Sequence, residues 1–267
     1  MKTWKKLLLG LTGVFALTAL AACSSSNNTL DKVKDKGTLT VALNPHFAPF
    51  EFKTLQDGKD TVVGADVEIA KAIADELGVK VKFSEMSFDN VLASVQSGKA
   101  DIAIAGISVT NERKKVYDFS DSYYTAENVV IVKKDKVNDF TSTDSLAKQT
   151  VGTQKGSVQE TVAKKQIPKA SVVSLASNGE MINELKSGQI QAVVLEKAIA
   201  EGYISQNDDL TLANFNLKSD GSDAYAVATR KGSDDLLKEI NAVIKETKNS
   251  GKFDQWLKEA STYKQSK

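Results

Sequence analysis

Residues 38–43 (Thr-Leu-Thr-Val-Ala-Leu) and residues 79–83 (Val-Lys-Val-Lys-Phe) predict two β-strands, the first mostly apolar and the second strictly alternating. The segment between them carries apolar residues at helical spacing and then a glycine stop: Ile69, Ala70, Ile73, Ala74, Leu77 and Gly78. Strands that alternate with amphipathic helices are typical of parallel α/β architecture. These residues therefore predict an α/β fold.

The same pattern continues along the chain. A helix that ends near Gly98 leads into an apolar strand over residues 100–105, and two amphipathic helices follow near residues 236–244 and 253–260. Residues 95–103 and 185–193 share one layout, in which a helix end and Ser-Gly precede a buried strand. Helix-Gly-strand units also occur in α/β proteins generally, so this internal similarity is by itself weak evidence for two equivalent lobes.

The ends of those two strands are candidate ligand sites. The first strand runs to Gly106 and Ser108, and the second runs to Glu196. Ligands of open α/β sheets bind beyond the carboxyl ends of the strands. We therefore expect these residues to present binding groups, although Glu196 alone could equally cap the helix that follows it.

Composition excludes several function classes. Hydrophobic residues make up 41% and charged residues 26% of the chain, and without the three lysines of residues 1–22 the net charge is −2. A nucleic-acid partner is not expected at this charge. One histidine, His46, and one cysteine cannot form a typical zinc site, and residues 152–157 lack the spacing of a nucleotide-binding loop. We expect no metal, no cofactor and no catalysis.

The amino terminus has the pattern of an export signal. Lys2, Lys5 and Lys6 precede an uncharged, mostly apolar run that is too short to span a bilayer comfortably and ends in Leu-Ala-Ala before Cys23. This junction resembles the bacterial lipobox. Residues 1–22 are predicted to be a signal peptide, Cys23 to carry lipid, and residues 23–36 to form a flexible tether. The alternative is a buried apolar cysteine in an ordinary signal region.

Arginine is scarce in this chain. Against 33 lysines there are two arginines, Arg113 and Arg230, so lysine is the default surface cation. A guanidinium binds a carboxylate through two parallel hydrogen bonds, which an ammonium cannot do. Arg113 follows a predicted strand end, and we expect it to bind a carboxylate. Its neighbours Lys114 and Lys115 fit a solvated helix surface.

Four stretches in order resemble the solute-binding proteins of polar amino-acid ABC importers, bacterial extracellular solute-binding protein family 3. They are residues 47–51 (FAPFE), 64–70 (GADVEIA), 105–115 (AGISVTNERKK) and 117–124 (YDFSDSYY). The resemblance spans nearly the whole mature chain. It implies a two-lobed periplasmic-binding-protein-like fold of type II, in which each lobe is a mostly parallel sheet flanked by helices and two crossover strands join the lobes.

The resemblance also implies the division of the chain. The first lobe takes residues 38–123 and 226–267, and the second takes residues 128–223. The crossings are expected near Thr125 and Ala224.

Carried over residue by residue, the resemblance implies a ligand site. On the first lobe, Arg113 binds the α-carboxylate together with Gly106 and Ser108. On the second lobe, a helix start at Gln154, Gly156 and Ser157 binds the same carboxylate. Glu196 binds the ammonium, and Phe47 and Phe88 enclose the ligand side chain. Asn44 departs from the aspartate found in several members that bind basic ligands and in some that bind glutamine. Glu196 stands where aspartate is commoner. The identity of the amino acid therefore stays open.

The resemblance implies a lipid-anchored, monomeric receptor on the extracellular face of a bacterial cell membrane. It would bind a polar amino acid between two closing lobes and deliver it to the permease and ATPase subunits of an ABC importer. Two other readings stay open. One is a small-molecule lyase or dehydratase on the same fold, with Glu196 as general acid. The other is a sensory or adhesive surface lipoprotein.

Overall fold

The computed structural model describes residues 28–219, 221 and 223–263. The predicted signal peptide over residues 1–22 and the predicted lipidation at Cys23 lie outside the described residues. No helix in the described ranges combines the length and the apolar character needed to cross a membrane.

Helices and strands alternate, which confirms the α/β class. The helices are α1 (Thr29–Lys36), α2 (Ala65–Leu77), α3 (Phe88–Gln96), α4 (Asn111–Lys114), α5 (Val158–Gln166), α6 (Asn178–Ser187), α7 (Lys197–Ser205), α8 (Asp234–Asn249) and α9 (Lys252–Ala260), with 3₁₀ turns at Lys134–Asp139 and Thr143–Leu146. The strands are β1 (Thr38–Leu43), β2 (His46–Phe47), β3 (Glu51–Gln56), β4 (Lys59–Val63), β5 (Lys80–Glu85), β6 (Ile102–Ala103), β7 (Tyr117–Phe119), β8 (Tyr124–Thr125), β9 (Asn128–Lys133), β10 (Thr150–Gln154), β11 (Ser171–Leu175), β12 (Ala192–Glu196), β13 (Leu210–Leu212), β14 (Ala224–Tyr225) and β15 (Ala228–Arg230).

Two mixed sheets form the centres of the two lobes. The first sheet has the strand order β5-β1-β6-β15-β7, and the second has the order β11-β10-β12-β9-β13. Parallel pairing joins β1 to β5 and β6 in the first sheet, and β10 to β11 and β12 in the second. The remaining pairs are antiparallel, because β9 and β15 enter their sheets directly after a crossing between the sheets.

Two short strands, β8 and β14, lie where the chain passes from one sheet to the other, and together they form a two-stranded ribbon. In it β8 pairs antiparallel with β14, and Thr125 faces Ala224 in the register. These are the two expected crossing points. Because β8 leads from β7 to β9 and β14 leads from β13 to β15, this ribbon is the covalent connection between the two sheets within residues 117–230.

Helix α2 shows how the sequence pattern places the first sheet. Ile69 and Ile73 are buried, and α2 packs against the long helix α8. Burying a side chain of this size is worth about 1.5–3 kcal/mol. The helix ends where predicted, since Gly78 has φ 68° and donates its N–H to the Ala74 carbonyl.

The structure corrects the predicted tether. Residues 29–36 form α1 instead of a coil, with Val33 fully buried. Asn28 caps this helix by accepting from the N–H groups of Leu30 and Asp31, and the Leu30 N–H also donates to Asp235 at 2.8 Å. These contacts fix the segment against the start of α8. The charged residues of this segment form the solvent face of a short amphipathic helix.

Gly64 sets the close approach between α2 and the loop before β3. Its φ is 130°, and a Cβ there would lie 2.1 Å from the Phe50 carbonyl oxygen. The next two N–H groups, those of Ala65 and Asp66, donate to the carbonyls of Pro49 and Phe50. An alanine would force this backbone contact apart.

We expect Gly64→Ala to lower the free energy of unfolding by about 2–3 kcal/mol, because steric overlap adds to backbone strain. Gly58→Ala is the matched control, since Gly58 also has a positive φ of 75° but a Cβ there meets nothing within 4 Å. That variant is expected to lose only about 1–2 kcal/mol. Urea denaturation of both variants measures the difference, and equal losses would contradict the steric argument.

Candidate functional site

The polar residues predicted from strand ends meet at the facing edges of the two sheets. Asn44 follows β1, Gly106 and Ser108 follow β6, and Gln154 and Glu196 are the last residues of β10 and β12. In both sheets these strands run parallel, so their carboxyl ends lie on one edge.

Arg113 lies between the two lobes. Thr110 caps the short helix α4 and accepts from the Arg113 N–H at 3.0 Å, which fixes the backbone there. The guanidinium donates from Nη1 to the Ser108 carbonyl at 2.8 Å and from Nη2 to the Gly156 carbonyl at 3.2 Å. A guanidinium has five N–H donors, so others stay available for a carboxylate.

Arg113 stays charged although burial disfavours its charged form. Desolvation lowers its pKa to about 10, while the nearby Tyr117 and Glu196 act in the opposite direction. The group is therefore protonated at neutral pH. Its guanidinium carbon also lies 6.0 Å from the centre of the Phe88 ring, at the limit of a cation–π contact.

Glu196 is the acidic counterpart on the second sheet. It is buried, and burial raises its pKa to about 7, although the Tyr225 hydroxyl, Gln159 and Arg113 each lower it. The Gln159 side-chain amide donates to Glu196 Oε1 at 2.7 Å and to Asn128 Oδ1 at 2.7 Å. Glu196 occupies the N-cap position of α7, but its side chain makes no capping hydrogen bond to that helix.

Asn44 and Gln154 connect the lobes beside this pair. The Asn44 side chain donates to the Met86 carbonyl at 2.8 Å and accepts from the Gln154 amide at 3.3 Å. Lys155 adds an ion pair of 2.8 Å to Asp89 across the same edge. The two lobes are therefore in contact around the site residues that were predicted from the sequence.

The start of α5 is already bonded within the protein. The Ser157 hydroxyl donates to the Gln154 carbonyl at 2.7 Å, and its N–H donates to the same oxygen at 3.1 Å. The Gly156 N–H donates to the Glu160 carboxylate at 3.3 Å. A carboxylate that used the N–H groups of Gly156 and Ser157, as predicted, would have to displace these acceptors.

Phe47 forms an apolar wall of the site. Its ring lies 5.6 Å from the Phe50 ring and 6.4 Å from the Tyr225 ring. Gly106, with φ 54°, lies directly against it, since a Cβ there would be 2.6 Å from Phe47 Cε1. Phe88, the other predicted aromatic, faces Arg113 instead of this cluster. Only a glycine at position 106 lets the loop approach the ring this closely.

A cleft of about 610 Å³ opens beside Arg113. It is lined by Thr110, Lys114, Gly156, Ser157 and Lys165, among others. Its charged lining consists of the cations Arg113, Lys114 and Lys165 and one carboxylate, Glu112. The excess of positive charge suits an anionic group. Within the described part of the chain, no three His, Cys, Asp or Glu side chains are grouped so as to hold a metal ion.

Sequence reasoning missed three residues of this site. Gln159 holds the Glu196 carboxylate, Tyr225 lies beside that same carboxylate, and Asp66 accepts from the Gly106 N–H at 2.9 Å. Of these three residues, only Asp66 had a signal in the sequence, because it falls inside the motif of residues 64–70. Nothing in the spacing of Gln159 or Tyr225 indicates their partners, because those contacts join separate elements.

Known proteins resemble this chain over nearly its whole length. Residues 39–260 match the family model described as bacterial extracellular solute-binding proteins, family 3. The arginine-binding extracellular protein ArtP of Bacillus subtilis is 35% identical, with 97% of each chain covered. The glutamine-binding protein GlnH of Bacillus subtilis is 33% identical, with 94% of this chain and 96% of the relative covered.

A solved structure is similar to this chain in both sequence and fold. It is the amino acid ABC transporter substrate-binding protein AbpA of Streptococcus pneumoniae, bound to L-arginine. It is 51% identical, has a TM-score of 0.84, and the match covers 86% of this chain and 97% of that one.

Proposed function

This chain belongs to the bacterial extracellular solute-binding proteins of family 3, and on that premise we propose that it captures a cationic amino acid, L-arginine first, between its lobes. As an amino-acid-binding component of an ABC importer, it hands the ligand to a membrane permease. The two lobes, residues 38–123 with 226–267 and residues 128–223, close on the ligand about the β8–β14 ribbon.

One observation carries the proposal. The half-buried guanidinium of Arg113 on one lobe and the buried carboxylate of Glu196 on the other are close enough to influence each other's pKa. An amino acid is a zwitterion, so its carboxylate and its ammonium match these two groups. Because a ligand that bridges both lobes contacts them together only in the closed form, its binding energy favours closure.

The choice of arginine rests on relatives. ArtP is named for arginine, and AbpA is bound to L-arginine.

Glutamine is the second candidate. GlnH is named for it, and the amides of Asn44 and Gln154, which bond each other across the lobes, suit an amide side chain. A neutral Asn44 also lacks the charge that would attract a basic ligand. The two candidates differ in charge, so a binding titration separates them.

The test is calorimetric titration of the folded chain from residue 28 with L-arginine, L-lysine, L-glutamine and L-histidine. L-Arginine is expected to bind tightest and to raise the melting temperature most, by mass action. Agmatine, which is arginine without its carboxylate, is the control and is expected not to bind. Tight binding of agmatine, or no binding of any amino acid, would overturn the proposal.

We further propose a lipid anchor at Cys23 and a monomeric receptor that returns its ligand unchanged. Mass spectrometry of the mature protein is expected to find a lipid-modified Cys23 as the first residue. Cys23→Ala should release the protein from the cell surface. Product analysis after incubation should recover the amino acid intact, and any turnover would favour the lyase reading instead.

A further inference from the structure

Two carboxyl groups lie side by side beneath the walls of the site. Glu51, the first residue of β3, is fully buried, and Asp66, in the first turn of α2, is 1% exposed. They are within hydrogen-bonding reach of each other. Neither faces solvent, and neither takes part in the binding scheme above.

Their surroundings differ. Asp66 Oδ2 accepts from the Gly106 N–H at 2.9 Å and from the Tyr123 hydroxyl at 2.9 Å. Its position in the first turn of a helix also favours negative charge. Among the described residues no donor reaches either oxygen of Glu51 or the second oxygen of Asp66. The polar neighbour of Glu51 is therefore the Asp66 carboxyl group.

Two adjacent buried carboxylates without donors between them repel each other and are poorly solvated. A single proton resolves this, because it turns one carboxyl into the donor that the other accepts. The donors around Asp66 stabilise its charged form, so the proton belongs on Glu51. Unequal environments separate the protonation states of paired carboxyl groups in this way.

We propose that Glu51 and Asp66 hold one proton between them, on Glu51, and that this neutral-plus-charged pair positions the Gly106 loop and Phe47 for amino-acid binding. The role in binding rests on the proposed function. The protonation itself does not.

The pair reaches both walls of the site. Asp66 holds the Gly106 N–H, and Glu51 pairs with Phe47 in the β2–β3 register. Gly106 in turn lies against the Phe47 ring. Losing the proton would place a second charge behind these contacts, and the loop would have to move to admit water.

The groups that face Glu51 all act in the same direction. Burial raises its pKa most, and Asp66 and Glu196 raise it further. The Tyr123 hydroxyl is a further ionisable neighbour, and burial and then the two acids raise its pKa. Because the pKa of Glu51 is raised in the folded state, its stabilising contribution is complete below the ordinary value of 4.5 and is lost as pH rises toward the folded value.

The experiment compares Glu51→Gln, which supplies an amide donor in place of the carboxyl proton, with Glu51→Leu, which supplies none. Glu76→Gln, on the exposed side of α2, is the matched control. Glu196 is itself partly protonated at neutral pH, so infrared difference spectra of ligand-free protein are recorded in a Glu196→Gln background. In that background a protonated-carboxyl band is expected with Glu51 intact and also with Glu76→Gln, and it should be absent when Glu51→Gln is added.

Stability and affinity provide two further measurements. The folding equilibrium of the wild type should fall relative to Glu51→Gln as pH rises above 4.5, by up to about tenfold per pH unit. Glu51→Leu should weaken amino-acid binding by at least about tenfold, since it leaves Asp66 Oδ1 without a donor, and Glu51→Gln should restore most of the loss.

The outcomes distinguish this proposal from the proposed function. If the wild type binds no amino acid but the Glu196→Gln protein shows the band, the shared proton stands and the function fails. A spectrum without the band in the Glu196→Gln protein overturns the shared proton. Wild-type affinity in Glu51→Leu overturns the positioning role. Where a variant of Glu51 does not fold, spectra of the Glu196→Gln protein with isotope-labelled glutamate carry the same test.

Discussion

Replacing Arg113 with alanine is expected to weaken amino-acid binding by at least about 100-fold, because leaving the enclosed ligand carboxylate without its charged partner costs roughly 3–5 kcal/mol. The ligand carboxylate would enter the cleft without a charged partner. The fold should survive, since Arg113 lies on a four-residue helix and bonds only backbone carbonyls with its guanidinium.

Arg113→Lys tests the geometry separately from the charge. Lysine keeps the positive charge but loses the planar arrangement of donors that binds a carboxylate and the Ser108 carbonyl together. We expect Arg113→Lys to recover only a small part of the affinity. Arg230→Lys is the matched control, because Arg230 is the other arginine and lies at the end of β15, outside the proposed site.

Calorimetry at neutral pH measures all three variants, and thermal melts of the ligand-free proteins check the fold. Near wild-type affinity in Arg113→Ala would remove Arg113 from the site. Equal losses in Arg113→Lys and Arg230→Lys would show that the effect is not specific to the donor geometry of Arg113.

Glu196→Gln is expected to reduce affinity for L-arginine by about 100-fold at alkaline pH, since the ligand ammonium would lose its buried carboxylate partner. In the wild type, affinity should rise as pH increases through about 7, because Glu196 must ionise to pair with the cation. Glu196→Gln has no such group, so we expect its affinity to stay low and flat across this range.

The stability of the ligand-free protein should change in the opposite sense. Burial raises the pKa of Glu196 from 4.5 to about 7, so its favourable contribution is complete below 4.5 and is lost as pH rises through 7. The loss amounts to about 3 kcal/mol, at roughly 1.4 kcal/mol for each unit of pKa. Glu196→Gln should remove it.

Glu201→Gln is the control, because Glu201 is exposed on α7, which begins directly after Glu196. Titrations and denaturation curves at a series of pH values measure both trends. If the wild type binds equally well on both sides of neutral pH, Glu196 does not pair with the ligand ammonium.

The strand ends were predictable because chain direction is a local property. Residues 38–43 form β1 as predicted, and Gly78 ends α2. Parallel strands place their carboxyl ends together, so Ser108 and Glu196 could be selected from the sequence before any contact was known. The rarity of arginine likewise indicated Arg113.

The β3–β4 hairpin was missed although its signal was present. Asp57-Gly58 joins two strands that pair from Phe52 with Val63 to Gln56 with Lys59. An Asp-Gly pair between such strands is a strong turn signal. Without this hairpin, nothing in the sequence indicates that residues 51 and 66 lie close together, so the Glu51–Asp66 pair cannot be predicted.

The sequence by itself determined the α/β alternation, the strand ends that carry Ser108 and Glu196, and the unusual arginine at position 113, because each depends on residues close together in the chain. Only the tertiary structure decided which of these groups are buried and which partners they have. It placed Gln159 against Glu196 and Asp66 against Glu51. Charge state follows from such contacts between elements, and local periodicity carries no information about them.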